Sequence, residues 1–228
     1  KLSLRGLSVA VMNRLDSLSR QIRICQRCRL GKTRTKAVPG EGSIGAKIFL
    51  VGEAPGREED ITGMPFCGPS GGILDRTLKS LRLKRSELFV TGVNKCRPPR
   101  NRRPRANEVA ACRPYLVKQI DVVKPHIIIA LGRHSLSALT VFSGEIARAR
   151  NESFGYHGIP LVATYHPAAV LYNRRLQVKL RHDMIRAMEL MKKVKPRVGG
   201  MRPVDGKGHW VRISSGGIPW DGGTKFLL

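Results

Sequence analysis

The segment Ile127-Ile128-Ile129-Ala130-Leu131-Gly132 narrows most what this chain can become. A strand with one wet face alternates apolar and polar residues, and this run does not alternate. It is therefore covered on both faces, the condition of a strand inside a parallel sheet flanked by helices. Three further short runs read as strands: Lys47 to Val51, Leu88 to Thr91 and Leu161 to Tyr165. Helical periodicity marks residues 8–24, 69–82, 108–123, a short stretch from Arg133, and 174–193. Asn107 is placed to cap the helix over 108–123, with Glu108 in its first turn. In the last helix Leu176, Leu180, Met184, Met188 and Met191 share one face. Gly40 to Gly45 and Arg97 to Arg105 read as loops. Strands alternating with helices predict an α/β protein, a three-layer α/β/α sandwich around a central four-stranded, mostly parallel sheet. That domain is assigned to residues 1–194. Residues 195–228, rich in glycine and basic side chains and carrying Trp210 and Trp220, are assigned to a tail.

The charge says what such a domain meets. Among 228 residues, 42 Lys and Arg face 16 Asp and Glu, a formal net charge of +26. A charge this large concerns partners and solubility rather than fold, and it points to a polyanion, nucleic acid first. No apolar run approaches the roughly 18 residues that a membrane helix needs, and no stretch has the make-up of a signal peptide. An integral membrane protein is excluded on this reading. The expected setting is a reducing cytoplasm.

Five cysteines fit that reducing compartment: Cys25, Cys28, Cys67, Cys96 and Cys112. Cys25 and Cys28 form C-x-x-C, a spacing shared by metal sites and redox pairs. Cys96 and Cys112 lie far downstream, so four thiolates converge only through the fold. If they do, they suit structural zinc or an iron–sulfur cluster; otherwise they are core or redox cysteines. Cys67, after Phe66 in an apolar stretch, reads as a small buried hydrophobe.

In open α/β sheets ligands bind beyond the carboxyl ends of the strands, which is where the conspicuous motifs fall. Gly52-Glu53-Ala54-Pro55-Gly56 follows the first strand and runs into Glu58, Glu59 and Asp60, an acidic cluster in a basic chain. Glycine and proline there give a tight turn that a ligand can approach closely. The carboxylates suit positioning a water or a developing cation, or else they are solvated acids at a helix start. Phe66 is either a core aromatic or a platform on which a base stacks. His166, before Pro167 at the end of the last strand, is structural or catalytic.

With the four cysteines, the motifs Gly52-Glu53-Ala54-Pro55-Gly56, Pro65-Phe66-x-Gly68, Lys95-Cys96-Arg97-Pro98-Pro99 and His166-Pro167 resemble family 4 uracil-DNA glycosylases over about residues 20–192. Those are the iron–sulfur members of their superfamily, common in thermophiles. The resemblance implies a structural 4Fe-4S cluster on Cys25, Cys28, Cys96 and Cys112, and no soluble cofactor, since water is the nucleophile. It implies a uracil pocket lined by Gly52, Glu53 and Ala54, with Phe66 stacking on the base. His166 would bind the uracil O2, and Glu53, Glu59 and Asn101 are further catalytic candidates. Ala54 stands where the best-known branch has a water-activating aspartate. Val170 and Leu171 are candidate wedges into the duplex, and Arg174 and Arg175 candidate phosphate contacts.

The resemblance breaks at Gly92, where the family carries a base-reading asparagine. Asn94 lies two residues on, on the same strand face but displaced by about 6.5–7 Å. Either Asn94 replaces that asparagine, or selectivity is relaxed toward other deaminated bases. The implied protein is a monomer in the cytoplasm of a prokaryote, associated with the nucleoid and acting on uracil-containing DNA, single- or double-stranded, with repair or replication proteins as further candidate partners. The rivals are a non-catalytic nucleic-acid-binding homologue and a zinc protein using the same cysteines.

Overall fold

The computed structural model describes residues 4–193 and 212–213. In chain order the elements are α1 (Leu4–Arg23), α2 (Leu30–Thr33), β1 (Glu41–Gly42), β2 (Ile48–Gly52), α3 (Arg57–Thr62), α4 (Pro69–Ser80), β3 (Leu88–Gly92) and α5 (Ala106–Val123). There follow β4 (Ile127–Leu131), α6 (Arg133–Leu139), α7 (Ile146–Ala149), β5 (Ser153–Tyr156), β6 (Ile159–Thr164), α8 (Pro167–Tyr172), α9 (Leu176–Lys193) and β7 (Arg212–Ile213).

The strands form one sheet in the order β1-β3-β2-β4-β6-β5-β7. The middle four, β3-β2-β4-β6, are parallel and coincide with the four runs legible in the sequence. Among the described residues the expectation of four strands is corrected to seven, because β1, β5 and β7 add antiparallel strands at the two sides. The short ones escaped notice for a physical reason. β1 is two residues in a segment read as a loop, and Gly42 at φ +135 lies so close to β3 that a Cβ would meet the Leu88 carbonyl. The tail expected over 195–228 lies outside the described residues, apart from Arg212 and Ile213.

Alternate residues of each parallel strand enter different cores. Phe49, Val51, Ile128 and Ala130 pack with Leu116 and Ile120 of α5 and Leu136 of α6. Ile48, Leu50, Ile127, Ile129 and Leu131 pack with Leu74 and Leu78 of α4 and Leu180 and Met184 of α9. Each fully buried Leu, Ile or Phe contributes about 1.5–3 kcal/mol over its exposed state. The sandwich is thus three-layered as the unbroken apolar strands require. A smaller cluster at one end gathers Leu18, Ile22, Leu30 and Tyr115 with Cys96 and Cys112, and Cys25 and Cys28 pack against it.

Two local expectations change. The α5 cap is the backbone of Arg105, not Asn107: Glu108 reaches back and accepts the Arg105 N–H at 2.7 Å. Cys67 is exposed rather than buried, its Sγ lying 3.1 Å from Thr62 Oγ1. Among the described residues no helix is long and apolar enough to cross a membrane.

Candidate active site

After β2 the chain moves to β3 on one side, then through α5 to β4 on the other. The carboxyl ends of β2 and β4 therefore flank a switch point, where open α/β sheets hold ligands. Gly52 and Gly92 sit side by side at the ends of β2 and β3, Arg133 and His134 follow β4, and His166 follows β6.

Gly52 has a steric reason to be glycine. A Cβ there would lie 2.6 Å from Cζ and 2.9 Å from Cε2 of Phe66, and 3.6 Å from Nε2 of His166. The Phe66 and His166 rings stack with centroids 5.6 Å apart. Phe66 holds a left-handed backbone at φ +51, a strained conformation that its surroundings must impose. Arg85 imposes it: Nη1 donates to the Phe66 carbonyl at 3.1 Å, Nη2 to the Pro65 carbonyl, and Nε to Glu41 Oε1 at 2.5 Å. Nothing in the sequence around Arg85 pointed to this clamp.

His166 Nδ1 accepts the Ala168 N–H at 3.1 Å. That bond assigns the imidazole proton to Nε2, the nitrogen facing Gly52. Burial pushes the His166 pKa down to about 4 against the upward pull of Glu59, with His134 adding to the lowering. The ring is therefore a neutral donor at neutral pH. β6, which carries it, is anchored from below: Asp183 accepts from Thr164 Oγ1 at 2.7 Å and from Arg150 at 2.8 and 2.6 Å.

The two acids differ in role. Glu53 is half-buried; burial pushes its carboxyl pKa up, while Arg103 and Arg133 draw it back. Glu59 is buried, and its two oxygens accept the Gly56 and Gly68 N–H groups at 3.0 Å each. It thereby staples the loop after β2 to the loop carrying Phe66. Asn101 lies exposed at φ +56, its amide oxygen accepting from Arg97 at 2.7 Å.

At Gly92 there is no side chain to read a base edge. A Cβ there would lie 2.8 Å from the Asn94 carbonyl oxygen and 3.6 Å from Ala54 Cα. Asn94 is buried, and its amide donates to the Glu108 carbonyl of α5 at 3.0 Å, while its Oδ1 has no partner. Lys95, part of the motif before Cys96 but given no role there, is fully buried with Nζ donating to Thr91 Oγ1, the Gly92 carbonyl and Gln119 Oε1 at 2.6–2.7 Å. Burial pushes its pKa down to about 7.

The wedge expectation divides. Val170 is 3% exposed and belongs to the core under α4 and α9, because the first turn of α8 directs it inward; it is not a wedge. Leu171 is 46% exposed and Tyr172 92%, and Arg174 and Arg175 are exposed beside them.

All four expected cysteines line one cavity, with Arg34, Lys95 and Tyr115 among its walls. They are unpaired thiols. Arg34 donates to Cys96 Sγ at 3.1 Å and the Lys95 N–H to Cys112 Sγ at 3.2 Å. Among the described residues no group of three or more His, Cys, Asp or Glu is arranged to hold a single metal ion.

Residues 39–190 match the family model described as the uracil DNA glycosylase superfamily. A type-4 uracil-DNA glycosylase of Saccharolobus solfataricus is 43% identical over 189 residues, covering 79% of this chain and 88% of that protein. Its counterpart in Archaeoglobus fulgidus is 40% identical, covering 81% of this chain and 97% of that protein. One from Thermotoga maritima is 35% identical over 78% of this chain and 95% of its own length. With a glycine-walled slot, a clamped aromatic and a neutral histidine at the sheet's switch point, and with these relatives along most of its length, the chain belongs to the uracil-DNA glycosylase superfamily, in its type-4 family.

Proposed function

We propose that this protein hydrolyses the N-glycosidic bond of uracil in DNA and leaves an abasic site. The observation that carries the reading is His166, a neutral imidazole with its Nε2–H turned toward Gly52 beside the Phe66 ring. The target base must leave the duplex stack before this pocket can hold it. Phe66 then offers a stacking face to the flipped base. As the C1′–N1 bond breaks, its electron pair passes to the uracil ring, and the charge on O2 is met by the His166 N–H. A preorganised donor away from water is effective against such developing charge. Water adds to C1′ and loses a proton. Glu53, the half-buried carboxylate at the pocket, is assigned to orient that water and to balance the sugar cation. Leu171 is the candidate to fill the gap in the stack, with Arg174 and Arg175 on flanking phosphates.

Cys25, Cys28, Cys96 and Cys112 line one cavity, which supports assigning them to a 4Fe-4S cluster. Its sulfur-only ligand set and its N–H donors to sulfur are the chemistry such clusters use. Cys25 and Cys28 after α1, Cys96 after β3 and Cys112 of α5 would hold the cluster, so that once bound it would cross-link these segments.

A second reading concerns selectivity. Gly92 brings no side chain, and the Asn94 amide is engaged by α5, which favours a pocket open to other deaminated bases. The deciding experiment measures single-turnover excision from oligonucleotides carrying one uracil, hypoxanthine, xanthine or mismatched thymine, read by alkali cleavage. Uracil excision supports the main reading, and excision of the purines as well supports the second. Inactivity on every base with DNA binding intact leaves the non-catalytic homologue. Iron analysis and visible absorbance separate the cluster from zinc.

A further inference from the structure

Arg34 follows α2, and none of the motifs so far includes it. Its Nη1 donates to the Cys25 carbonyl at 2.7 Å and to Cys96 Sγ at 3.1 Å, and its Nη2 donates to the Arg23 carbonyl at 2.7 Å. One guanidinium therefore joins the end of α1 to Cys96, 62 residues on from Arg34. The last carbonyls of a helix have no partner within it, so Arg23 and the turn after it need an outside donor. The arm carrying Cys25 and Cys28 needs one in particular. Both cysteines are half-buried at the edge of the cluster of Leu18, Ile22 and Tyr115, and Ile24 between helix and arm is 77% exposed, so apolar packing holds the arm only in part.

We propose that Arg34 is a positioning residue for the cysteine centre, locking the Cys25–Cys28 arm onto Cys96 and, through its bond to Cys96 Sγ, holding the cluster more firmly and raising its reduction potential. The inference rests on the iron–sulfur reading above. A hydrogen bond from a cation to a thiolate stabilises the added negative charge of the reduced cluster, which is why such bonds tune these potentials. Arginine suits the place because its planar fork serves three acceptors at once, whereas lysine brings the charge without the fork. The other N–H donor to a sulfur, at Cys112, is a backbone group that substitution leaves in place.

The test compares wild type, Arg34→Met and Arg34→Lys, purified without oxygen, by iron content, by loss of visible absorbance in excess chelator, and by film voltammetry. Arg34→Met should release iron roughly 10–100-fold faster, the usual cost of losing an outer partner of a metal ligand. Its potential should move to more negative values. Arg34→Lys should restore part of the potential and less of the iron retention. Wild-type retention and potential in Arg34→Met would overturn the proposal. Faster release with an unmoved potential would also overturn it, since that is the mark of a fold defect alone. If Arg34→Met takes up no iron, Arg34→Lys decides: wild-type behaviour there refutes the role of the fork, and faster release with a lowered potential supports it. A wild type without iron overturns the cluster reading and this inference with it; an iron-loaded wild type with an indifferent Arg34→Met overturns the inference alone.

Discussion

Gly52→Ala tests whether the slot beside Phe66 is as tight as the geometry says. The added Cβ would lie 2.6 Å from Phe66 Cζ and 2.9 Å from Cε2. Carbon atoms in good contact sit about 3.5–4.0 Å apart, so the ring must retreat by roughly 1 Å. Its retreat is restrained because Arg85 holds the Phe66 carbonyl and the backbone is already at φ +51. Forcing a methyl into such a site costs about 1–3 kcal/mol, or a fall in Tm of roughly 2–12 °C for a chain of this size. The effect on excision should be larger, since a 1 Å displacement near the reacting groups can cost about 10²-fold. Single-turnover excision of uracil and a thermal melt of the same preparations give both numbers. Phe66→Leu in the Gly52→Ala background should recover part of the lost stability, because the two residues share one space and their effects will not add. A Gly52→Ala protein with wild-type rate and Tm would refute the account of the slot. Strict additivity of the two substitutions would refute the contact behind it.

His166→Ala should slow excision by roughly 10²–10³ while binding to an abasic-site duplex changes far less; equal losses in both would deny the donor role. Because burial holds the His166 pKa near 4 against 6.5 in the unfolded chain, the unfolded state takes up a proton that the folded state does not. Stability therefore falls as pH drops through 6.5 and levels off below about 4, by about 3 kcal/mol from this residue. Urea melts of wild type and His166→Gln at pH 7 and 4.5 should differ in slope with pH, and identical slopes would contradict the buried neutral ring. Asp183→Ala strands Arg150, only 14% exposed, and should cost roughly 3–5 kcal/mol; a Tm near that of wild type would show that this pair does not anchor β6. Leu171→Ala should slow excision from duplex DNA more than from single strands, whereas Val170→Ala should lower Tm by opening a core cavity. The reverse pattern would restore Val170 as the wedge.

Much of this protein was determined by local pattern. The four parallel strands are legible because a strand covered on both faces must be apolar throughout, and Ile127 to Leu131 admits no other reading. Gly52 and His166 were legible because they fall at strand ends, and Phe66 because it lies in a glycine- and proline-bearing loop between α3 and α4, places where chain geometry and ligand access coincide. The short strands β1 and β5 were not legible, since two to four residues carry too little periodicity to separate from a turn. What the tertiary structure alone decided are contacts between residues far apart in the chain. It gave Glu59 to two backbone amides, Val170 to the core and Asn94 to α5, and it brought Arg85 to the Phe66 loop and Arg34 to Cys96. An arginine on the surface and one clamping a loop look alike in sequence, because a charge acts on whatever the fold sets within a few ångströms of it, and distance along the chain carries no record of that.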